Sequence, residues 1–412
     1  MLHIHAKLVL GRAGHPVDVG LGEHVTAAET PPNWVHVALV MSTALCIGLT
    51  LGLFPALLAL KVDALGYTTS SNGMLAAMHG LAGFLVSPLV PKLVNALGAL
   101  RTYIASTIIA ALMIVLFIVF YSLGAWFVLR FLLGLALGAQ WIVSETWMNQ
   151  LAIGARRGTI ISLYVVVLSI GLAIGPLIMA GVGTEGAEPF LIAAFMLSLS
   201  FVPLLFLPRW QATGGEGKHT LPLLAAMLRK PSAMIAGAVD GLIYQVLMAL
   251  LPLYFLHLGT SEALAIGMLN ALFVGGIAFQ VVFGYLIDRY TPEKVLVFAS
   301  LIVIICLGLI AVRGLNGTAL WTIMFVMGGP AAAIYTAGLA SVNDAFSAED
   351  MPSGTAAYTM IWHLGGLSGP ALAGMAMDLW DPYGLSLVVG IALAVLVVAN
   401  LSAFAKSAAK TL

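Results

Sequence analysis

Apolar runs of spanning length recur twelve times along this chain, near residues 34–60, 69–92, 101–121, 125–150, 157–182 and 187–208, then 232–256, 263–286, 294–313, 318–342, 354–378 and 383–405. At about 1.5 Å of rise per residue, roughly 20 helical residues cross the ~30 Å hydrocarbon core of a bilayer. Hydrocarbon offers no partner to an open backbone N–H, so such runs predict helices that satisfy their own hydrogen bonds. The chain is 61% apolar and only 8% charged, against about 25% charged in soluble domains. No soluble fold hides that much apolar surface. The expected fold class is an all-α integral membrane protein, with twelve transmembrane helices arranged as two pseudo-symmetric six-helix bundles.

The bundles are expected at 34–208 and 232–405. Between them 209–231 is polar, Gly-containing and basic at both ends, and reads as a cytoplasmic linker. Residues 1–33 lack the apolar core of a signal peptide and read, like 406–412, as a cytoplasmic tail. His3, His5, His15 and His24 in that tail match no metal-ligand spacing, and neither metal nor cofactor is expected. Cys46 and Cys306 lie inside apolar runs, where packing explains them. Seventeen basic residues balance seventeen acidic ones, so net charge draws no nucleic acid to the chain.

Where the charges lie is more informative. With the N-terminus inside, fourteen of the basic residues fall on the cytoplasmic side, Lys92, Arg101, Arg156, Arg157, Arg229, Lys230, Arg289 and Lys294 among them, while only Lys61 and Arg313 fall outside. This positive-inside bias places both termini in the cytoplasm, and the expected location is the inner membrane of a bacterium.

The two halves repeat. Gly171, Gly175 and Pro176 in the fifth run match Gly365, Gly369 and Pro370 in the eleventh at a constant offset of 194. Parallel six-helix repeats mark transporters whose halves rock about a central site. Proline removes a backbone donor, so Gly175-Pro176 and Gly369-Pro370 are expected as hinges.

After the eighth run stands Gly284-Tyr-Leu-Ile-Asp288-Arg289. Here the chain resembles the major facilitator superfamily, whose cytoplasmic motif reads roughly G-x-x-x-D-R after helix 2 and again after helix 8. The N-terminal copy departs from it, with Asn95 at the aspartate's place and Ala96 at the arginine's. LRFLLGLALGAQWIVSETWMN in the fourth run, RRGTIISLYVV at 156–166 and the stretch 251–289 resemble the YcaD-type branch. The resemblance implies a monomeric secondary transporter working by alternating access, with Gly284, Asp288, Arg289 and Asn95 at a cytoplasmic gate. It also implies a cavity lined by helices 1, 4, 7 and 10. In the superfamily a richer glycine-proline motif in helix 5 accompanies antiport; the copy here is partial and recurs in the eleventh run, and favours export over import without fixing the direction.

The fourth run carries the membrane-embedded charge. Arg130, Gly134, Gly138, Trp141 and Glu145 share a sector of about 80°. Arg130 can clamp an anion, tune a carboxylate or dock a helix, and the superfamily resemblance implies proton coupling or docking. Glu145 lies about 22 Å further along, beyond pairing range, with Arg156 and Arg157 as alternative partners. Asp240, about 12 Å into the seventh run with no other charge near it, is the foremost candidate for proton coupling, because a carboxyl can exist neutral or ionised. The bland alternative is an acid bonded to a neighbouring helix. His79 and His363 stand near mid-membrane as further proton-relay candidates. Gln140, Trp141, Tyr244, Gln245, Asn270, Tyr335 and Trp362 offer amides and aromatic faces suited to a planar or amphiphilic, largely uncharged organic solute.

No nucleotide-binding loop or nucleophile motif occurs, so the chain is not expected to be an enzyme. The expected function is proton-coupled transport of a small organic solute. A passive facilitator and a carrier-shaped scaffold or assembly factor are the competing readings.

Overall fold

A computed structural model describes residues 33–151, 157–206, 221–311, 315, 317–347 and 349–411. The tail 1–32, most of the expected linker and Arg156 lie outside the described residues. Among the described residues the chain forms fourteen α-helices: α1 (Trp34–Ala64), α2 (Thr69–Val86), α3 (Val90–Leu97), α4 (Ala99–Val119), α5 (Leu123–Leu151), α6 (Arg157–Val182), α7 (Glu188–Ser198), α8 (Leu223–Arg229), α9 (Pro231–His257), α10 (Glu262–Arg289), α11 (Pro292–Ile310), α12 (Gly317–Ala345), α13 (Met351–Leu379) and α14 (Gly384–Thr411). α14 thus continues through the stretch read as a C-terminal tail, and α8 lies within the stretch read as linker.

Ten of these helices are long and apolar enough to cross a membrane. The run expected at 69–92 is broken instead: α2 stops at Val86, Pro88 and Pro91 interrupt the ladder, and α3 leaves at 59°. Counted as one bent span, the pair makes an eleventh. α13 is long enough to be the twelfth but carries His363, five glycines and several hydroxyls. Its position explains the composition, since it packs between α2 and α9 and meets protein more than lipid. The run at 187–208 also divides, continuing from α7 as a 3-10 segment, Leu199–Phe206, that contains Pro203.

α1 to α7 form one bundle and α9 to α14 the other, joined chiefly by α2 on α13, α10 on α6 and α1 on α9. The repeat holds to the residue. Gly48 abuts the carbonyl of Leu168, Gly171 that of Leu45 and Gly175 that of Leu49. Counting 193 residues on in the first helix and 194 in the second, Gly241 abuts the carbonyl of Trp362, Gly365 that of Ala238, and Gly369 meets Leu242. These glycines exist for close approach, because a Cβ at any of them would collide with backbone. The residues expected as hinges therefore stand where α6 crosses α1 and α13 crosses α9, and both helices run unbroken through Pro176 and Pro370.

Lys92, Arg101, Arg229, Lys230, Arg289 and Lys294 gather at one end of the molecule, the basic face. At the far face the bundles are bonded together. Asp378 of α13 caps the N-terminus of α2, accepting from the N–H groups of Thr69 at 2.9 Å and Ser70 at 3.1 Å and from both hydroxyls. His257 stands between Asp63 of the first bundle, at 3.3 Å, and Asp381 of its own, at 2.6 Å. Thr184 donates to Glu262 at 2.6 Å. Near mid-depth Asn270 donates to the carbonyl of Ala173 at 2.5 Å. Among the described residues no ion pair joins the bundles at the basic face: Arg229–Asp350 and Lys230–Glu293 both lie within the second bundle. Asp288 and Arg289 form no ion pair there among the described residues, and a Cβ built at Gly284 would meet nothing within 4 Å.

Candidate functional site

The absent side chain of Gly241 admits the backbone of Trp362, which sets its indole over α9. The indole N–H donates to Asp240 Oδ2 at 2.6 Å, and its ring centroid lies 5.5 Å from that of Tyr244. Asp240 is 7% exposed and has no cation beside it among the described residues. One turn earlier on α13, Tyr358 fills notches left by Gly237 and Gly338, donates to the carbonyl of Tyr335 at 3.3 Å, and has its ring 5.8 Å from the Tyr335 ring. Across the gap, Trp141 hydrogen-bonds Glu145, and Tyr164 meets Ser144 at 3.2 Å.

Under the twofold exchange Trp141 corresponds to Tyr335 and Tyr164 to Tyr358, each 194 residues on, so the two bundles carry aromatic residues at matched positions. Glu145 and Tyr335 come from opposite bundles, both carry exposed surface, and each lies within electrostatic reach of the other. A solvent-accessible gap therefore separates the bundles at this depth, floored by Asp240 and Trp362 and open toward the basic face.

A second group lies deeper. Arg130 is 3% exposed, and its guanidinium sits 5.7 Å from the ring centroid of Phe54. Neither carboxylate nor hydrogen-bond acceptor reaches it among the described residues, and its Nε is an orphan donor. A cation–π contact is worth about 0.5–2 kcal/mol, whereas a charge in the bilayer core costs at least about 2.5–3.5 kcal/mol; the contact alone does not offset the burial. His79 rests over Gly134, one turn from Arg130, and lies within electrostatic reach of Arg130 and His363. The ring of His363 is pressed on Gly83 of α2 and stands 5.1 Å from that of Trp362. Nδ1 of both histidines and Nε2 of Gln245 are buried without partners.

Two expected cavity residues are engaged elsewhere. Gln140 is fully buried in the first bundle and donates to Thr107 at 3.0 Å and Ser200 at 2.9 Å, so it braces α5 against α4 and the 3-10 segment. Asn270 joins the bundles instead of lining the gap. The side chain of Arg157, a suggested partner of Glu145, lies outside the described residues, as does Arg156. Sequence reasoning passed over Tyr164, Tyr358, Asp378 and His257. The first two share the offset of 194 that the glycines show, and that signal was available; the last two are marked only by contacts between distant helices.

Paired helical bundles around a gap, each the image of the other, define the class of membrane transporters built from parallel six-helix repeats. The Major Facilitator Superfamily family model matches residues 40–324 and 233–411, and the chain belongs to this superfamily of multi-pass membrane transporters. It is 26% identical over 348 residues to an uncharacterized MFS-type transporter of Yersinia pestis, covering 83% of this chain and 89% of the relative. To the uncharacterized MFS-type transporter YcaD of Escherichia fergusonii it is 28% identical over 352 residues, with the same coverage. The crystal structure of the nucleoside transporter NupG matches with a TM-score of 0.73 at 17% identity, covering 90% of this chain and 98% of that one. That last likeness is one of fold.

Proposed function

We propose that the protein moves a small organic solute with a planar body across a bacterial inner membrane by alternating access, coupled to protons through Asp240. On this reading the positive-inside rule assigns the basic face to the cytoplasm and both termini with it. The conformation is then inward-open: the periplasmic side is closed by Asp378, His257 and Thr184, and Asp288, Arg289 and Asn95 belong to the cytoplasmic gate. The protein acts as a monomer, since one chain supplies both halves of the site.

The observation that carries the reading is Asp240 itself, a buried carboxyl at the floor of the gap whose single hydrogen bond among the described residues comes from Trp362. An indole N–H can serve either form of the carboxyl, so Asp240 can take up or release a proton as the gap changes its solvent. Trp141 and Tyr335, one from each bundle, together with Tyr244 and Trp362, suit a flat solute held by stacking. Proteoliposomes with an imposed proton gradient, offered labelled nucleosides, aromatic acids and vitamins, test this. The wild type concentrates at least one solute, and Asp240→Asn exchanges it without concentrating it. Unchanged accumulation by Asp240→Asn overturns the coupling.

A further inference from the structure

We infer that Arg130, His79 and His363 seat the anionic head of the solute, which makes it an organic monocarboxylate with an aromatic body. The inference rests on the carrier reading and narrows its substrate class. Polar atoms this deep in a membrane protein are ordinarily paired, yet here the unpaired atoms are all nitrogens: Arg130 Nε, His79 Nδ1, His363 Nδ1 and Gln245 Nε2. Arg130 Nε and Gln245 Nε2 are donors, and each histidine Nδ1 donates in one tautomer, so the cluster can serve an acceptor brought from outside.

Among the described residues none supplies one. α1, which faces Arg130 through Phe54, has Asp63 as its sole carboxylate, at the far end and bonded to His257. Asp240 is held by Trp362, and Glu145 by Trp141 some 22 Å along α5 from Arg130. The guanidinium's planar fork matches a carboxylate in two parallel hydrogen bonds. The guanidinium is the one permanently charged group of the three, and one positive charge balances one negative charge, so a monoanion fits better than a dianion.

The two subsites are continuous. His79 lies within reach of Arg130 and His363, and the His363 ring touches that of Trp362, which packs on Tyr244. A carboxylate at Arg130 would thus place an attached aromatic ring toward the Trp362 and Tyr244 faces, with Asp240 beyond it. The largely uncharged ligand expected from the aromatic residues alone becomes one with a charged end.

The test uses the full chain, purified in detergent and in proteoliposomes, with benzoate, indole-3-acetate and nicotinate set against their uncharged amides. Thermal stabilisation by at least one acid, with at least tenfold weaker binding of its amide, is expected. Arg130→Gln should lose the preference and Arg130→Lys keep part of it. Equal binding of acid and amide, or no binding of any acid, overturns the inference, and the acid–amide comparison needs no variant to fold. Transport separates the two proposals. An uncharged solute that is concentrated while no acid binds leaves the carrier reading standing and removes the anion seat, whereas acids that bind through Arg130 without crossing the membrane keep the seat and remove the carrier reading.

Discussion

Arg130 holds its charge at physiological pH, and among the described residues the Phe54 ring is the group packed against it. Burying an unpaired ion is tolerated where function demands it, at the expense of stability. Arg130→Met, of similar volume and without charge, should therefore raise the unfolding midpoint of the ligand-free protein, by about 1–4 kcal/mol in stability, while abolishing transport. A scanning thermal assay in detergent checks this, and a fall in the midpoint would show that the guanidinium docks helices. Asp240 stands in a different position, because its bond to Trp362 at 2.6 Å gives the carboxyl a partner in either form. Depth along the run and isolation from other charges single out both residues in the sequence, and both are buried in the structure. What the sequence could not place was their surroundings: whether a carboxylate on another helix reached Arg130 depends on which helices touch, and no local pattern records that.

At the scale of the helix, glycine spacing decides how closely partners approach. A Cβ at Gly241 would lie 1.9 Å from the Trp362 carbonyl, whereas one at Gly390 would meet nothing within 4 Å. Gly241→Val should thus destabilise by about 1–3 kcal/mol or more and pull Trp362 away from Asp240. Gly390→Ala should be neutral or stabilising by up to about 1 kcal/mol through helix propensity. Parallel thermal unfolding of the two variants checks the pair, and equal effects would mean that α9 and α13 are not in backbone contact. The same glycines show how far sequence reading reached. Their offset of 194 reveals the repeat; proline's weakening of the helix ladder makes the Gly-Pro pairs expected hinges, and the packing adds that the glycines there admit a neighbouring helix. Helix positions were legible because lipid demands long apolar runs. The break between α2 and α3 was hidden inside one such run, although Pro88 and Pro91 were visible in it.

For the whole molecule, the two bundles are joined at the far face and at mid-depth and separate toward the basic face. This asymmetry agrees with the incomplete N-terminal gate motif, where Asn95 and Ala96 stand in place of a charged pair. Asp378 is the main tie at the far face, since it caps the N-terminus of α2 from the opposite bundle. A carrier poised between two states shifts when one state loses a bond, and it shifts on both faces together.

Spin-label distances test the rocking motion most directly, using one pair at Leu97 and Tyr290 on the basic face and another at Phe120 and Leu387 toward the far face, all exposed positions. In the unmodified protein the account predicts a long basic-face distance and a short far-face one. With Asp378→Ala, a second population should appear in which the far-face distance lengthens and the basic-face distance shortens in the same proportion of molecules. A closed basic face at rest, or a change confined to one face, would contradict rocking about a central site.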